Sequence, residues 1–180
     1  MATDTPLADP AELATWLGVP ASNPLLVAAL RSASRRFRGA VRHEVDLVED
    51  EVITLDGNGR QSLLLPVWPT TAVEKVVLDG EELVEGTDYD WSEAGILRRL
   101  GCQLWPDKLR CVEVTYSHGW AEIPSDISDA VIEQARATFR SEPGVKSKAV
   151  GGQSVTWETG VTGQWSAAVE RHQVQTGSDA

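Results

Sequence analysis

The stretch VEVTYSHGWAEIPSDISDAVIEQARATF, residues 112–139, joins an alternating strand to an amphipathic helix, and it decides the fold of the chain. Val112, Val114 and Tyr116 recur at every second position, which predicts a β-strand with these three side chains on one face. The residues between them point to the opposite face. Gly119 then allows the chain to turn within a His-Gly-Trp corner, so a sheet passes directly into a helix.

The helix after this corner has its own start signal. Pro124 is a residue type that favours the first helical position, and Ser125 or Asp126 is expected to cap the helix. Four apolar residues then follow at helical spacing: Ile127, Val131, Ala135 and Phe139. One face of this helix is therefore expected to be buried.

Upstream of the corner, residues 45–116 are rich in strand-forming residues that alternate with turn signals. The apolar run 73–78 is followed by Asp79-Gly80 and then by Leu83, a pattern that predicts a β-hairpin. We therefore expect an antiparallel sheet inserted between helices, which is an α+β fold.

A second hairpin is predicted around residues 105–108. Its register would place Cys102 opposite Cys111, at a pair where side chains approach closely. In a cytoplasmic product we expect both thiols to stay reduced. Because no further cysteine or paired histidine accompanies them, no zinc site is predicted.

The order of these features resembles the head-tail connector (adaptor, or head-completion) proteins of long-tailed bacteriophages. The corner carries the resemblance through its Val-Thr-Tyr-x-His-Gly-aromatic run, followed by Ile-Pro and an apolar helix. The run LLLPVWPTTAVEKVVLDGEELVEGTDYDWSEAGILRR, residues 63–99, is similar to the same family. So is ADPAELATWLGVPASNPLLVAALRSASRRFRGAV, residues 8–41, which resembles its short first and long second helices. Together these matches extend over residues 8–172.

The resemblance implies a particular domain organisation. It implies a connector body at residues 1–143, made of a short first helix, a long second helix and a third helix after the corner. The antiparallel sheet is inserted at about 45–116. Residues 144–180 would form a C-terminal arm with a linker, an extended segment and a short helix.

The resemblance also implies a structural role in the virion neck. Such a protein binds the portal after DNA packaging, forms a dodecameric ring that extends the DNA channel, and recruits neck or tail-completion proteins. Two alternatives remain open. One is another neck component, a stopper or a tail terminator, which would have more β-structure and no long helical pair. The other is a tryptophan-rich carbohydrate-binding module, which would need aromatic side chains aligned on one exposed face.

The formal net charge of −11 argues against specific DNA binding, because most affinity for nucleic acid comes from neutralising phosphates. We expect DNA to pass through the ring without specific binding, along an acidic lumen that repels it. The simpler interpretation is that acidic residues keep the protein soluble. No apolar run is long enough to predict a membrane span, and no signal peptide is apparent, which favours synthesis in the host bacterial cytoplasm.

The second helix carries an arginine stripe, which consists of residues three or four positions apart: Arg31, Arg35, Arg38 and Arg42. Its apolar residues form the opposite, buried stripe: Leu26, Leu30, Ala33, Phe37 and Val41. The arginine stripe is either a solvated face or a subunit interface. In the second interpretation it pairs with acidic side chains among residues 44–51 of an adjacent copy.

Six of the seven tryptophans fall into two groups. Trp68, Trp91, Trp105 and Trp120 lie at the ends of predicted strands and are expected to pack in the core. Trp157 and Trp165 lie in the C-terminal region and are candidates for a partner surface.

Extended C-terminal segments can add to the edge of another sheet. By resemblance, this region of a connector reaches the portal or an adjoining subunit. The portal- or partner-binding candidates are Val150, Ser154, Val155, Thr156, Trp157, Trp165 and Val169.

No catalytic site is predicted. Ser117 and His118 are adjacent in a strand and point to opposite faces, so they do not form a nucleophile-base pair, and a structural histidine is expected. The chain contains no nucleotide-binding or hydrolase motif, and no cofactor is predicted.

Overall fold

The computed structural model describes residues 5–140, 147–150, 153–156 and 161–174, with the backbone alone for Arg140 and for the strands between 147 and 156. In chain order the elements are α1 (Pro10–Leu17), α2 (Pro24–Val41), β1 (Val48–Leu55), β2 (Ser62–Leu64), β3 (Thr70–Leu78), β4 (Glu81–Leu83), β5 (Tyr89–Ser92), β6 (Ile96–Arg99), β7 (Val112–His118), α3 (Ser125–Arg140), β8 (Ser147–Val150), β9 (Gln153–Thr156) and α4 (Gly163–His172). Helices combined with antiparallel strands confirm the α+β class.

The chain divides into two compact units. A helical unit contains Met1–Arg42 and Ile123–Gln173, and a β unit contains His43–Glu122 and Val174–Ala180. The β unit is therefore an insertion between α2 and α3, as the sequence pattern predicts. The expected separate region at 144–180 does not match this division, because α4 belongs to the helical unit.

Two of the four helices in the helical unit begin in the same way, with a capping side chain followed by proline. The Asp9 carboxylate accepts a hydrogen bond from the Ala11 amide at 2.8 Å, and the Asn23 side chain accepts from Leu25 at 2.9 Å. Proline occupies the first turn of both α1 and α2, where a missing N–H costs nothing. The predicted apolar stripe of α2 is buried: Leu26, Leu30, Ala33, Phe37 and Val41.

The buried face of α3 also agrees with its spacing. Ile127, Val131 and Ala135 are fully buried, and Phe139 is half-buried. The start of α3 differs from the expected cap. The Pro124 carbonyl accepts the amides of Ile127 and Ser128, while the Asp126 carboxylate binds α4 instead.

Helix α4 packs against α3 and α2, and Trp165 is the reason. Its indole is only 4% exposed and meets the Phe37 ring edge-on, with ring centroids 5.2 Å apart. Aromatic pairs in this geometry add to the free energy gained by burial. The expectation that Trp165 lies on a partner surface is therefore wrong, because the side chain completes the helical core.

The Asp126 carboxylate links the start of α3 to the end of α4. It accepts hydrogen bonds from the Arg171 guanidinium and from His172 Nε2, the latter at 3.0 Å. Burial alone would raise the pKa of Asp126. The two hydrogen bonds and the accompanying charges outweigh burial, so the pKa lies below its ordinary value.

The β unit contains two antiparallel sheets. One has the order β1-β7-β3-β4 and the other β2-β6-β5. The predicted hairpin across Asp79-Gly80 is confirmed, with Val76 opposite Leu83. Side chains from both sheets share one core, which includes Val112, Val114 and Tyr116 on the predicted face of β7.

The second predicted hairpin, around residues 105–108, is wrong. Strands β6 and β7 belong to different sheets, and the chain between them is a loop. Trp105 explains the difference, because its side chain is fully buried and its indole N–H donates to the Leu97 carbonyl. Cys102 is consequently exposed and Cys111 is buried, and neither forms a disulfide.

Replacing Trp165 tests its role in the core. We expect Trp165→Ala to lower the free energy of unfolding by about 3–5 kcal/mol, because a large buried aromatic side chain is lost. Trp16 is the matched control, since it is 62% exposed and makes one cation–π contact with Arg136. Trp16→Ala should cost less than about 1 kcal/mol. Urea unfolding followed by circular dichroism measures both, and equal costs would contradict the assignment.

The lowered pKa of Asp126 predicts a specific acid response. A carboxyl with a lowered folded pKa stabilises the protein at neutral pH, and this stabilisation disappears as the pH falls through the folded pKa. Asp126→Asn should therefore lower the free energy of unfolding at pH 7, and the deficit relative to the native chain should shrink below the ordinary pKa of aspartate. Exposed Asp129 on the same helix is the control. Urea unfolding at a series of pH values would refute the idea if Asp129→Asn behaved identically.

Candidate functional site

The acidic side chains are concentrated in the β unit. Residues 43–122 hold 17 acidic and six basic side chains, a net charge of −11, which equals the net charge of the whole chain. The other residues are balanced overall, although α2 and its C-cap together hold five arginines. The protein therefore has one strongly acidic unit and one neutral unit with a basic helix.

Three members of the arginine stripe lie on the surface. Arg31 and Arg35 are exposed on α2, and exposed Arg42 follows as the left-handed C-cap, with a φ of 68°. Arg38 differs from the expectation, because it is only 7% exposed. It donates to the carbonyl of Thr5 at 3.0 Å, so the segment before α1 covers this flank of α2.

Ser34 shows the same effect one turn earlier on α2. The Ser34 hydroxyl is buried and accepts a hydrogen bond from the Leu7 amide at 3.0 Å. A segment distant in sequence therefore removes part of the polar face of α2 from solvent. Because Arg38 is buried, it is unsuited to a subunit interface. Arg31, Arg35 and Arg42 remain candidates for such an interface.

Most of the C-terminal candidates lie in a small hairpin. Strands β8 and β9 pair antiparallel, with Ala149 opposite Ser154 and Val150 opposite Gln153. This C-terminal hairpin contains four of the predicted residues: Val150, Ser154, Val155 and Thr156. Trp157 lies outside the described residues, and Val169 is half-buried on α4.

Strand β1 is a further candidate surface. The sequence pattern alone did not identify it as the edge of a sheet. It is an outer strand of the four-stranded sheet, and among the strands that the structure describes it pairs only with β7. A bulge between Val48 and Glu51 interrupts its register, with Asp50 at a φ of 53°. The signal in the sequence is an acidic run interrupting a strand pattern, which is typical of a protected sheet edge.

The His-Gly-Trp corner has a structural role in the sheet. His118 is 2% exposed, and its Nε2 lies 2.7 Å from Glu51 Oε2. Ser117 instead donates to Glu74 at 2.8 Å and accepts from the Asp50 amide. The two residues therefore take different partners, as expected for neighbours that face opposite ways.

The corner also concentrates polar groups at one end of the sheet core. The Tyr116 ring lies 4.8 Å from the His118 ring, measured between centroids. Burial raises the pKa of the Tyr116 hydroxyl, and the charge of Glu51 raises it further. The phenol of Tyr116 is therefore neutral at physiological pH.

The described tryptophans do not match the row required by a carbohydrate-binding module. Trp105 is fully buried, and Trp91 and Trp120 are half-buried. Trp68 and Trp120 form an edge-on pair with centroids 6.2 Å apart. These side chains mostly cover the sheets, as the sequence analysis predicts.

The described residues show neither a metal site nor a membrane-spanning helix. They contain no group of three or more histidine, cysteine or acidic residues arranged to hold a metal ion. None of their helices combines the length and apolar character needed to cross a bilayer. The candidate functional site consists of the three surfaces described above: the exposed arginines of α2, the edge of β1 and the C-terminal hairpin.

Solved structures with a similar fold come from gene transfer agent (GTA) particles. A chain in the neck of a native GTA particle, computed with C12 symmetry, is 20% identical over 98% of this chain and 93% of that chain, with a TM-score of 0.55. A chain in the neck of an empty GTA particle, computed with C6 symmetry, is 18% identical over 98% and 94%, also with a TM-score of 0.55. A chain of the native GTA virion is 15% identical over 93% and 89%, with a TM-score of 0.52.

At these identities the likeness shows a shared fold. No curated protein matched the sequence. The model of one family, described as Head completion protein, matches residues 12–170. Because that match includes both the helical unit and the β unit almost in full, the chain belongs to the Head completion protein family.

Proposed function

We propose that this chain is a structural protein of a virion neck, where copies of it form a ring that binds the portal after DNA packaging. The family match over residues 12–170 is the observation that carries the proposal. The fold likeness to chains in GTA necks supports the same location. The work of such a protein is assembly, with no catalytic step, and we expect synthesis in the host cytoplasm.

The long helices favour a connector over other neck components. Helices α2 and α3 are 18 and 16 residues long, and they pack against each other. A stopper or tail terminator would have more β-structure and no such pair. The inserted β unit and the long helical pair together support the connector role.

The division of charge supports head-to-tail contact between copies. A contact that uses two different surfaces repeats around an axis and closes into a ring when the rotation permits. Exposed Arg31 and Arg35 of one copy would face Glu49 and Asp50 of the next, which are also exposed. The C12 symmetry of the GTA neck to which one similar chain belongs supports a dodecameric ring.

The acidic β unit suits a wall beside passing DNA. Phosphates are repelled by acidic surfaces, and binding to them needs basic side chains that this unit has in small number. We propose that DNA passes through the ring without specific contacts. The end of the ring that faces away from the portal would then be available to recruit a neck or tail-completion protein.

The C-terminal hairpin would contact a neighbouring protein, which is either the portal or an adjoining copy. Each contact can be weak, because a symmetric portal holds many copies at high effective concentration. Val169 on α4 is a further candidate for this surface. Trp165 is excluded from it by burial.

The experiment that tests the proposal is co-sedimentation of the chain with DNA-filled, tail-less capsids that carry their cognate portal. Portal-free shells are the comparison. We expect saturable binding to portal-bearing particles only, because the ring is assembled on that symmetric platform. Equal binding to both particles, or binding to neither, would contradict the connector role.

Charge reversal tests the contact between copies. We expect the double variant Arg31→Glu, Arg35→Glu to weaken occupancy of portal-bearing particles by about tenfold, equivalent to ~1.4 kcal/mol, because two basic side chains would then face an acidic strand. Arg36→Glu is the matched control, since it makes the same type of change on another face of α2. A titration of bound chain against free chain measures both, and similar weakening by the control would overturn the assigned surface.

A further inference from the structure

Among the residues that the structure describes, nothing protects the second half of β1 as a sheet edge. Natural proteins protect edge strands by keeping them short or by adding charges, prolines and bulges. In the described part of the β unit, the other outer strands are short, with three residues in β2 and β4 and four in β5. Strand β1 has eight residues, and its bulge and acidic side chains lie only in the first half.

Residues 52–55, Val-Ile-Thr-Leu, have no such protection. Val52 is 59% exposed, although the strand is continuously paired with β7 on its other side from Glu51 to Leu55. The outward backbone groups of this half-strand therefore form a regular row with strand geometry. Such a row is a template for the addition of another strand.

The C-terminal hairpin likewise has no third strand among the described residues. Its two strands have four residues each and pair with one another. An isolated two-stranded hairpin is at best marginally stable in water, and a third strand is normally required. Within the described part of the chain, each of its strands also has one edge that pairs with no other strand.

Charge and composition favour pairing between these two edges. The first half of β1 contains Glu49, Asp50 and Glu51, whereas residues 147–156 contain Lys148 and no acidic residue. Both the hairpin and the exposed arginines belong to the helical unit, and β1 belongs to the acidic β unit. A single neighbour could thus supply both basic elements to one acidic strand.

We infer that the C-terminal hairpin of one copy adds to the edge of β1 in the next copy, so that the four-stranded sheet is extended by two strands across each subunit boundary. This inference rests on the proposed ring and names the hairpin's partner as a second copy of this chain. Main-chain hydrogen bonds would supply affinity, and the acidic half of β1 would fix the position of the incoming basic strand. The contact is head-to-tail and therefore repeats around the ring.

The test uses the full chain and a proline in β8. Ala149→Pro removes one backbone donor and disfavours addition of the strand, while its position is remote in sequence from the residues of either core. Ala149→Ser is the matched control, because it keeps the backbone N–H. Self-association is measured by sedimentation velocity over a concentration series, and amide hydrogen exchange is measured in the dilute and assembled states.

We expect amides of residues 52–55 and 147–156 to gain protection together when the native chain assembles. Ala149→Pro should weaken self-association by at least about tenfold and remove the added protection in β1, with thermal unfolding unchanged. Ala149→Ser should behave as the native chain does. These results together would establish the strand addition.

Other outcomes overturn the inference in distinguishable ways. Protection of residues 52–55 already present in the dilute monomer would mean that the edge is covered within one copy. Normal assembly of Ala149→Pro with loss of binding to portal-bearing capsids would assign the hairpin to the portal and leave the proposed function intact. Failure of the native chain to associate, alone or on portal-bearing capsids, would refute the proposed ring and this inference together.

Discussion

The pairing of β7 on both of its edges is the constraint on which the β unit depends. One edge bonds to β1 and the other to β3, so β7 is central and its core-facing side chains are fully buried. The strand ends at Gly119, where the backbone has a φ of 92° and a Cβ would lie 2.4 Å from the Asp46 carbonyl oxygen. The Gly119 amide donates to Pro69, and the neighbouring Trp120 amide donates to Val45. Only glycine fits a corner at which three chain segments meet this closely.

Local periodicity in the sequence was sufficient to predict the strands and helices that have one buried face. The alternation at Val112, Val114 and Tyr116 and the helical spacing from Ile127 onward both describe their surfaces correctly. These patterns predict the buried face correctly because each strand or helix packs against the core through one face. They contain no information about which distant segment covers the opposite face.

The wrong predictions about Arg38, Trp165 and the hairpin at residues 105–108 all have that origin. Arg38 has the spacing of a surface residue, but its guanidinium binds Thr5, which is 33 positions away. Trp165 follows a glycine-rich segment typical of a mobile arm, yet it packs on Phe37 in a helix much earlier in the chain. Trp105 lies beside a proline in a pattern typical of a turn, and burial of its indole converts the expected hairpin into a loop. Spacing alone cannot predict long-range contacts of this kind.

In the proposed ring, the confinement of net charge to one unit would give assembly a direction. When the acidic unit of one such chain binds the basic helix of a second copy, one acidic and one basic surface of the pair remain available to further copies. Like surfaces repel, which disfavours a symmetric dimer that would end assembly after one step. The same asymmetry makes the contact sensitive to ionic strength, because exposed charges are screened beyond a Debye length of about 8 Å in physiological salt.

Because α4 is part of the helical core, the C-terminal hairpin is held at both ends. Residue 150 is ten positions beyond the end of α3, and residue 156 is seven positions before the start of α4. A fully extended chain spans at most about 3.6 Å per residue, so residue 156 lies within roughly 25 Å of α4 and residue 150 within roughly 36 Å of α3. The reach of the hairpin is therefore limited, and in the proposed ring it would set the largest spacing between subunits that the hairpin can bridge. In the proposed ring, too wide a radius for a given number of copies would place the neighbouring edge beyond this limit, so the reach of the hairpin would limit the size of the ring.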